Sequence, residues 1–108
     1  MIFTYQEIKN DIQSEFNRFL NRLGYSITDT FYATMGESEN RDDFTLAEEC
    51  CMYICLTLLL KENNEKLDFF RKRLSELISD KNIKTYQSEL KEEYSIFLND
   101  VNKVKTFL

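Results

Sequence analysis

The chain has 108 residues with 14 Lys/Arg, 19 Asp/Glu and no His, a formal net charge of −5, and its length suits one compact domain, 1–108, with no room for a second core. Hydrophobic residues make up 43% and aromatics 14%, which excludes a disordered chain of low hydrophobicity. The acidic balance argues against nucleic-acid binding, whose affinity comes from cations neutralising phosphates.

Proline is absent and glycine occurs only at Gly24 and Gly36, so the residues that punctuate hairpins are scarce and helices are expected. Phe3-Thr4-Tyr5-Gln6-Glu7-Ile8 reads as a helix start, with Thr4 accepting from a free backbone N–H, Glu7 reaching back and Phe3 stapling onto Ile8. Ile8, Ile12, Phe16, Phe19, Leu20 and Leu23 follow at helical steps, and Gly24 stands where a left-handed C-cap belongs. A shorter second helix is expected after the Ser26-Ile27-Thr28-Asp29 cap, with Ile27, Phe31 and Thr34 or Met35 on one face and Gly36 near its exit.

Thr45-Leu46-Ala47-Glu48 is a third capping box, opening a helix expected to run to about Lys61. From Cys50 to Leu60 its apolar residues go nearly all the way round, the pattern of a helix enclosed by others. After Asn63-Asn64, the residues Leu67, Phe70, Leu74, Leu77 and Ile78 repeat helically until the Ser79-Asp80-Lys81-Asn82 cluster interrupts them. A last helix is expected from Thr85, with Leu90, Tyr94, Phe97, Leu98, Val101 and Val104 on its inner face. The fold class is therefore all-α: a bundle of about five helices around a buried central third helix.

Three cysteines without a spaced framework fit a reducing cytosol better than a disulfide-stapled secreted module. Met1-Ile2-Phe3 leads directly into a polar helical pattern, so no secretory leader is expected. The longest apolar run, Cys50 to Leu60, is far short of the roughly 20 residues that cross a bilayer, and no membrane partner is expected.

The lack of histidine removes the commonest general base, the Ser-His and Cys-His nucleophile systems and the usual nitrogen ligand of zinc. Two isolated glycines cannot build a phosphate loop. Cys50, Cys51 and Cys55 lack the paired spacing and the fourth ligand of a structural zinc site, and read as core thiols. The carboxylate spacings Glu62-Asn63-Asn64-Glu65 and Glu89-Leu90-Lys91-Glu92 do not complete the two-motif magnesium pattern of helical pyrophosphatases, and no EF-hand loop is present. No catalytic residue, metal or cofactor is expected, and the chain is not read as an enzyme.

One feature remains. Residues 1–60 hold 4 Lys/Arg and 10 Asp/Glu, a balance of −6, against +1 for the remainder. Much of that charge lies just before and at the start of the third helix. Asp42, Asp43, Glu48 and Glu49 suit a helix amino terminus, where unpaired N–H groups and the macrodipole favour anions. Glu37 and Glu39 lie farther upstream, beside Tyr32 and Phe44, and gain less from that field. Those eight residues are the candidate partner-binding set, since acidic side chains with aromatic anchors suit a basic protein. The last helix offers a second face, with Tyr86, Glu89, Glu92, Glu93 and Tyr94.

The chain resembles a family of small, acidic, all-helical immunity proteins from bacterial polymorphic and contact-dependent toxin systems. The likeness lies in the overall length, the opening Thr4-Tyr5-Gln6-Glu7-Ile8 helix, the Gly36-Glu37 step and the long apolar third helix reached through acidic residues. It implies a cytoplasmic protein that binds a cognate toxin domain, commonly a nuclease with a basic cleft, and blocks it without chemistry of its own. Two other readings stay open: a helical adaptor or homodimer associating through an apolar helix face, and a phage-encoded inhibitor mimicking nucleic acid with its carboxylates.

Overall fold

The computed structural model describes residues 3–22, 26–35, 44–61 and 65–108, and among these the regular structure is entirely helical. In chain order the helices are α1 (Tyr5–Ser14), α2 (Phe16–Arg22), α3 (Ile27–Met35), α4 (Leu46–Leu60), α5 (Glu65–Leu77), α6 (Asp80–Thr85), α7 (Gln87–Leu90), a 3₁₀ turn (Lys91–Glu93) and α8 (Tyr94–Lys105). Local chemistry sets several of the starts. The Thr4 hydroxyl accepts from the Glu7 N–H while Glu7 accepts from the Thr4 N–H, each at 3.1 Å. Thr45 and Glu48 repeat this box at α4, and Ser26 caps α3 by accepting from the Asp29 N–H at 3.1 Å.

The enclosed helix is where the apolar pattern puts it. Every side chain from Cys50 to Thr57 is buried, and α4 packs against α1, α3, α5 and α8. Buried residues from all of the α-helices join one hydrophobic cluster around it. Cys50, Cys51 and Cys55 are unpaired and buried within that cluster.

The chain breaks into more segments than the five expected, so the enclosed helix is the fourth. The expected first helix divides at Glu15, whose backbone (φ −113°, ψ 28°) leaves the helical region. The reason is tertiary: α1 packs along α4, whereas α2 packs on α3, and one straight rod cannot serve both. The Ser79 cluster does not merely interrupt; Ser79 caps α6, accepting from the Asn82 N–H at 3.4 Å. The expected last helix is α7, the 3₁₀ turn and α8, divided at Lys91, which adopts φ 53° and ψ −123°. Gly24, Gly36 and Asn63-Asn64 lie outside the described residues.

A polar contact ties the two ends of the chain together. The Tyr5 hydroxyl donates to the buried Asp100 Oδ2 at 2.5 Å, and Lys9 reaches the same oxygen at 3.4 Å. Burial, with Cys55 and Asp100 nearby, holds the Tyr5 hydroxyl firmly protonated by pushing its pKa far above the ordinary value.

Candidate docking site at the start of α4

Three rings gather just ahead of α4. Phe44 meets Phe31 edge-on at 5.6 Å between centroids, Phe3 meets Phe31 at 5.8 Å, and Phe3 lies 6.3 Å from Phe44. Such pairs add about 0.5 to 1.5 kcal/mol beyond their buried area. Phe31 is fully buried, while Phe3 and Phe44 are half-buried and close the cluster towards the surface. Tyr32, the next residue on α3, is also half-buried.

The two acids inside α4 are spent on the fold. Glu48 is fully buried, with Oε1 accepting from the Thr45 N–H and Oε2 from the Phe3 N–H, each at 3.1 Å. It therefore satisfies donors from two chain segments at once and is not presented to a partner. Glu49 forms a fork with Arg73 on α5, its two oxygens each 2.9 Å from Nε and Nη2. Hydrogen bonding to Glu49 raises the Arg73 pKa further above its ordinary value. Glu37, Glu39, Asp42 and Asp43 lie outside the described residues, so of the eight candidates the fold brings Phe44 beside the residue preceding Tyr32, buries Glu48 and pairs Glu49 with Arg73 at the surface.

The second face joins this region instead of standing apart from it. The Thr45 hydroxyl donates to Glu89 Oε2 at 2.9 Å, which links the start of α4 to α7. Glu93 accepts from the Tyr5 N–H at 2.9 Å and the Gln6 N–H at 3.0 Å, an anion seated on the first turn of α1. Between these contacts lies a cleft of about 500 Å³ lined by Phe3, Thr4, Glu89, Leu90, Lys91, Glu92 and Glu93. Lys91 makes the reversal that shapes one wall, in a backbone region that costs a non-glycine residue of order 1–3 kcal/mol. Tyr86 is not part of this surface: it is buried and its hydroxyl donates to the Leu77 carbonyl at 2.8 Å. Tyr94 is half-buried, donating to the Ile83 carbonyl at 3.1 Å.

Phe3 makes contacts beyond the staple that local spacing assigns to it. As a staple for Ile8 it is a local device; in the fold it packs against α3, borders the cleft and is held by Glu48. Nothing local signals this, because the contact with Glu48 spans 45 positions.

The thiols are shielded as well as buried. Burial pushes Cys55 up to about 12, against the pull of the Tyr5 hydrogen bond, and raises Cys50 and Cys51 too. A reactive thiolate needs the opposite surroundings. Among the described residues no group of three or more His, Cys, Asp or Glu side chains is placed to hold a metal ion, and no helix is long and apolar enough to cross a membrane. Comparisons of the chain with protein-family models, curated proteins and solved structures returned no match.

Proposed function

We propose that this protein is a binding protein that docks a cationic protein domain on the side of the bundle where α4 begins, and that it neutralises a toxin domain in the manner of the immunity proteins it resembles. The observation that carries this is the placement of the second acidic face: the Thr45–Glu89 hydrogen bond sets the carboxylate-lined cleft of α7 and the 3₁₀ turn beside the start of α4, with Phe3 and Phe44 at the same place. Half-buried rings within an anionic surround supply anchor area and steering together. The same chemistry suits the basic cleft of a nuclease, which is the partner class favoured here.

The displaced proton affinities support inhibition without chemistry. Tyr5, Cys50, Cys51, Cys55 and Tyr86 owe their raised values first to burial in the core. Attachment by charge is also favoured over an apolar helix face. Among the described residues the exposed large hydrophobics are Leu46, Phe69, Ile96 and Leu108, on α4, α5, α8 and the carboxyl end. Scattered single residues of this kind are ordinary protein surface.

The test begins with recovery of the partner by co-purification from a native lysate and its identification by mass spectrometry. Reversing Glu37, Glu39, Asp42 and Asp43 to Lys is then expected to preserve the helical circular dichroism spectrum while abolishing partner binding and protection. Wild-type affinity in that variant would move the interface elsewhere on the molecule.

A further inference from the structure

We propose that α8 exchanges between two copies of this chain, with Lys91 as the hinge, so that the protein also forms a dimer in which the α8 of each copy packs on the α4 of the other. The exchange stands apart from the docking reading and needs no other protein.

Three observations converge on Lys91. Its backbone (φ 53°, ψ −123°) is in a region that suits glycine and that a residue with a Cβ occupies at a cost. The distortion is local: the Lys91 N–H already donates to the Gln87 carbonyl, the bond a continuing helix makes, and Leu90, Glu93 and Tyr94 lie in the right-handed helical region. Rotation at this hinge therefore merges α7, the 3₁₀ turn and α8 into a single rod. The sequence suits that rod. Leu90, Tyr94, Phe97, Val101 and Val104 recur at steps of four and three, and residues 87–105 contain neither glycine nor proline.

A straight helix carries α8 away from its own core, where its contacts cannot be left open. Phe97, Val101 and Val104 are buried, Phe97 meets Tyr5 at 5.7 Å and Tyr86 at 6.0 Å between centroids, and the Tyr94 hydroxyl donates to the Ile83 carbonyl. Asp100, also buried, accepts from Tyr5 and pairs with Lys9. Tyr5, Lys9, Ile83 and Tyr86 all precede the hinge, so each of these contacts re-forms against a second copy whose own α8 has left. The two states then share one core and differ at the hinge. The exchanged state loses the strain and continues the helix through Lys91. Against that stands the freedom lost when two chains become one particle, which rising concentration offsets. An exchanged pair has no 3₁₀ turn, so the cleft beside the start of α4 belongs to the single chain alone.

The test refolds an equal mixture of isotope-labelled and unlabelled full chain from urea at about 1 mM, in reducing buffer. The expected result is a dimer holding at least about a tenth of the protein, read by size-exclusion chromatography with light scattering. Isotope-filtered nuclear Overhauser effects are expected to join the Tyr5 ring of one chain to the Phe97 ring of the other. Lys91→Gly fits the bent backbone without strain and disfavours the straight helix, at two hinges per dimer. It is expected to fold as the monomer and to weaken the dimer at least about a hundredfold. Lys91→Ala keeps the strain and favours the helix, and is expected to dimerise at least as well as the wild type. Refolding of the wild type to monomer alone, a dimer whose Tyr5–Phe97 contact stays within each chain, or equal dimerisation of the glycine and alanine variants would overturn the exchange.

Discussion

Glu48 and Glu49 are neighbours with the same charge, and the fold uses each in a different way, Glu48 in the core and Glu49 in an ion pair at the surface. Glu48 caps its own helix, which the spacing from Thr45 makes legible, and also holds the Phe3 N–H, which no local pattern shows. Glu49 forks with Arg73, 24 positions away. Thr57 presents the reverse case: its hydroxyl is buried in α4 with no hydrogen-bond partner. Leaving such a group unsatisfied costs about 1 to 3 kcal/mol, so Thr57→Val, close in shape, is expected to raise stability by about 1 kcal/mol and the melting temperature by several degrees. A lower melting temperature would show that the hydroxyl finds a partner. The thiols predict a pH dependence. Cys55, ordinarily 9.0, is held near 12 in the folded chain, so the unfolded chain releases its proton first. The stability this thiol contributes is complete below pH 9 and is lost as pH rises from 9 towards 12, at about 1.4 kcal/mol per unit. Cys50 and Cys51, raised in the same direction, steepen the loss. Urea unfolding midpoints measured in reducing buffer are expected to hold steady to about pH 9 and then to fall, with the thiols of the folded protein resisting alkylation at pH 8. Prompt alkylation would contradict their burial.

Among the helices, α4 dominates because its partners surround it. Leu56 is fully buried, and Leu56→Ala is expected to cost about 2 to 5 kcal/mol, a large share of a typical stability of about 5 to 15. Leu59 lies at the edge of the core, only partly buried, so Leu59→Ala is expected to cost about 1 to 2 kcal/mol. Equal losses in chemical denaturation would place Leu59 as deep as Leu56, against the packing described. The helix breaks were less legible than the helices. Glu15 and Lys91 carry no glycine or proline signal, and each break exists because the segments on its two sides pack against different neighbours. At Lys91 the backbone accepts strain, and the carboxylate of Glu93 on the same turn reaches the first turn of α1.

Charge is uneven along the chain, −6 in residues 1–60 against +1 in residues 61–108, and the fold adds to the acidic half the carboxylates of α7 and the 3₁₀ turn. An anionic face of this kind accelerates encounter with a cationic partner over distances comparable to the Debye length, about 10 Å at 0.1 M salt. The association rate with the recovered partner is therefore expected to fall at least about tenfold between low and moderate ionic strength while the dissociation rate changes much less. An association rate indifferent to salt would point to apolar attachment, the mode of an adaptor or homodimer.

The sequence by itself determined the helical class, the caps at Thr4, Ser26 and Thr45, the buried character of α4 and the unpaired core thiols, because each follows from spacing within a few residues or from composition. Only the tertiary structure decided that α2 leaves the line of α1, that Glu48 and Glu49 are turned to structural use, and that Glu89 meets the start of α4 and Glu93 the start of α1. These contacts join residues 24 to 88 positions apart. Helical periodicity tells which face of a segment seeks the core; it carries no information on which other segment arrives there.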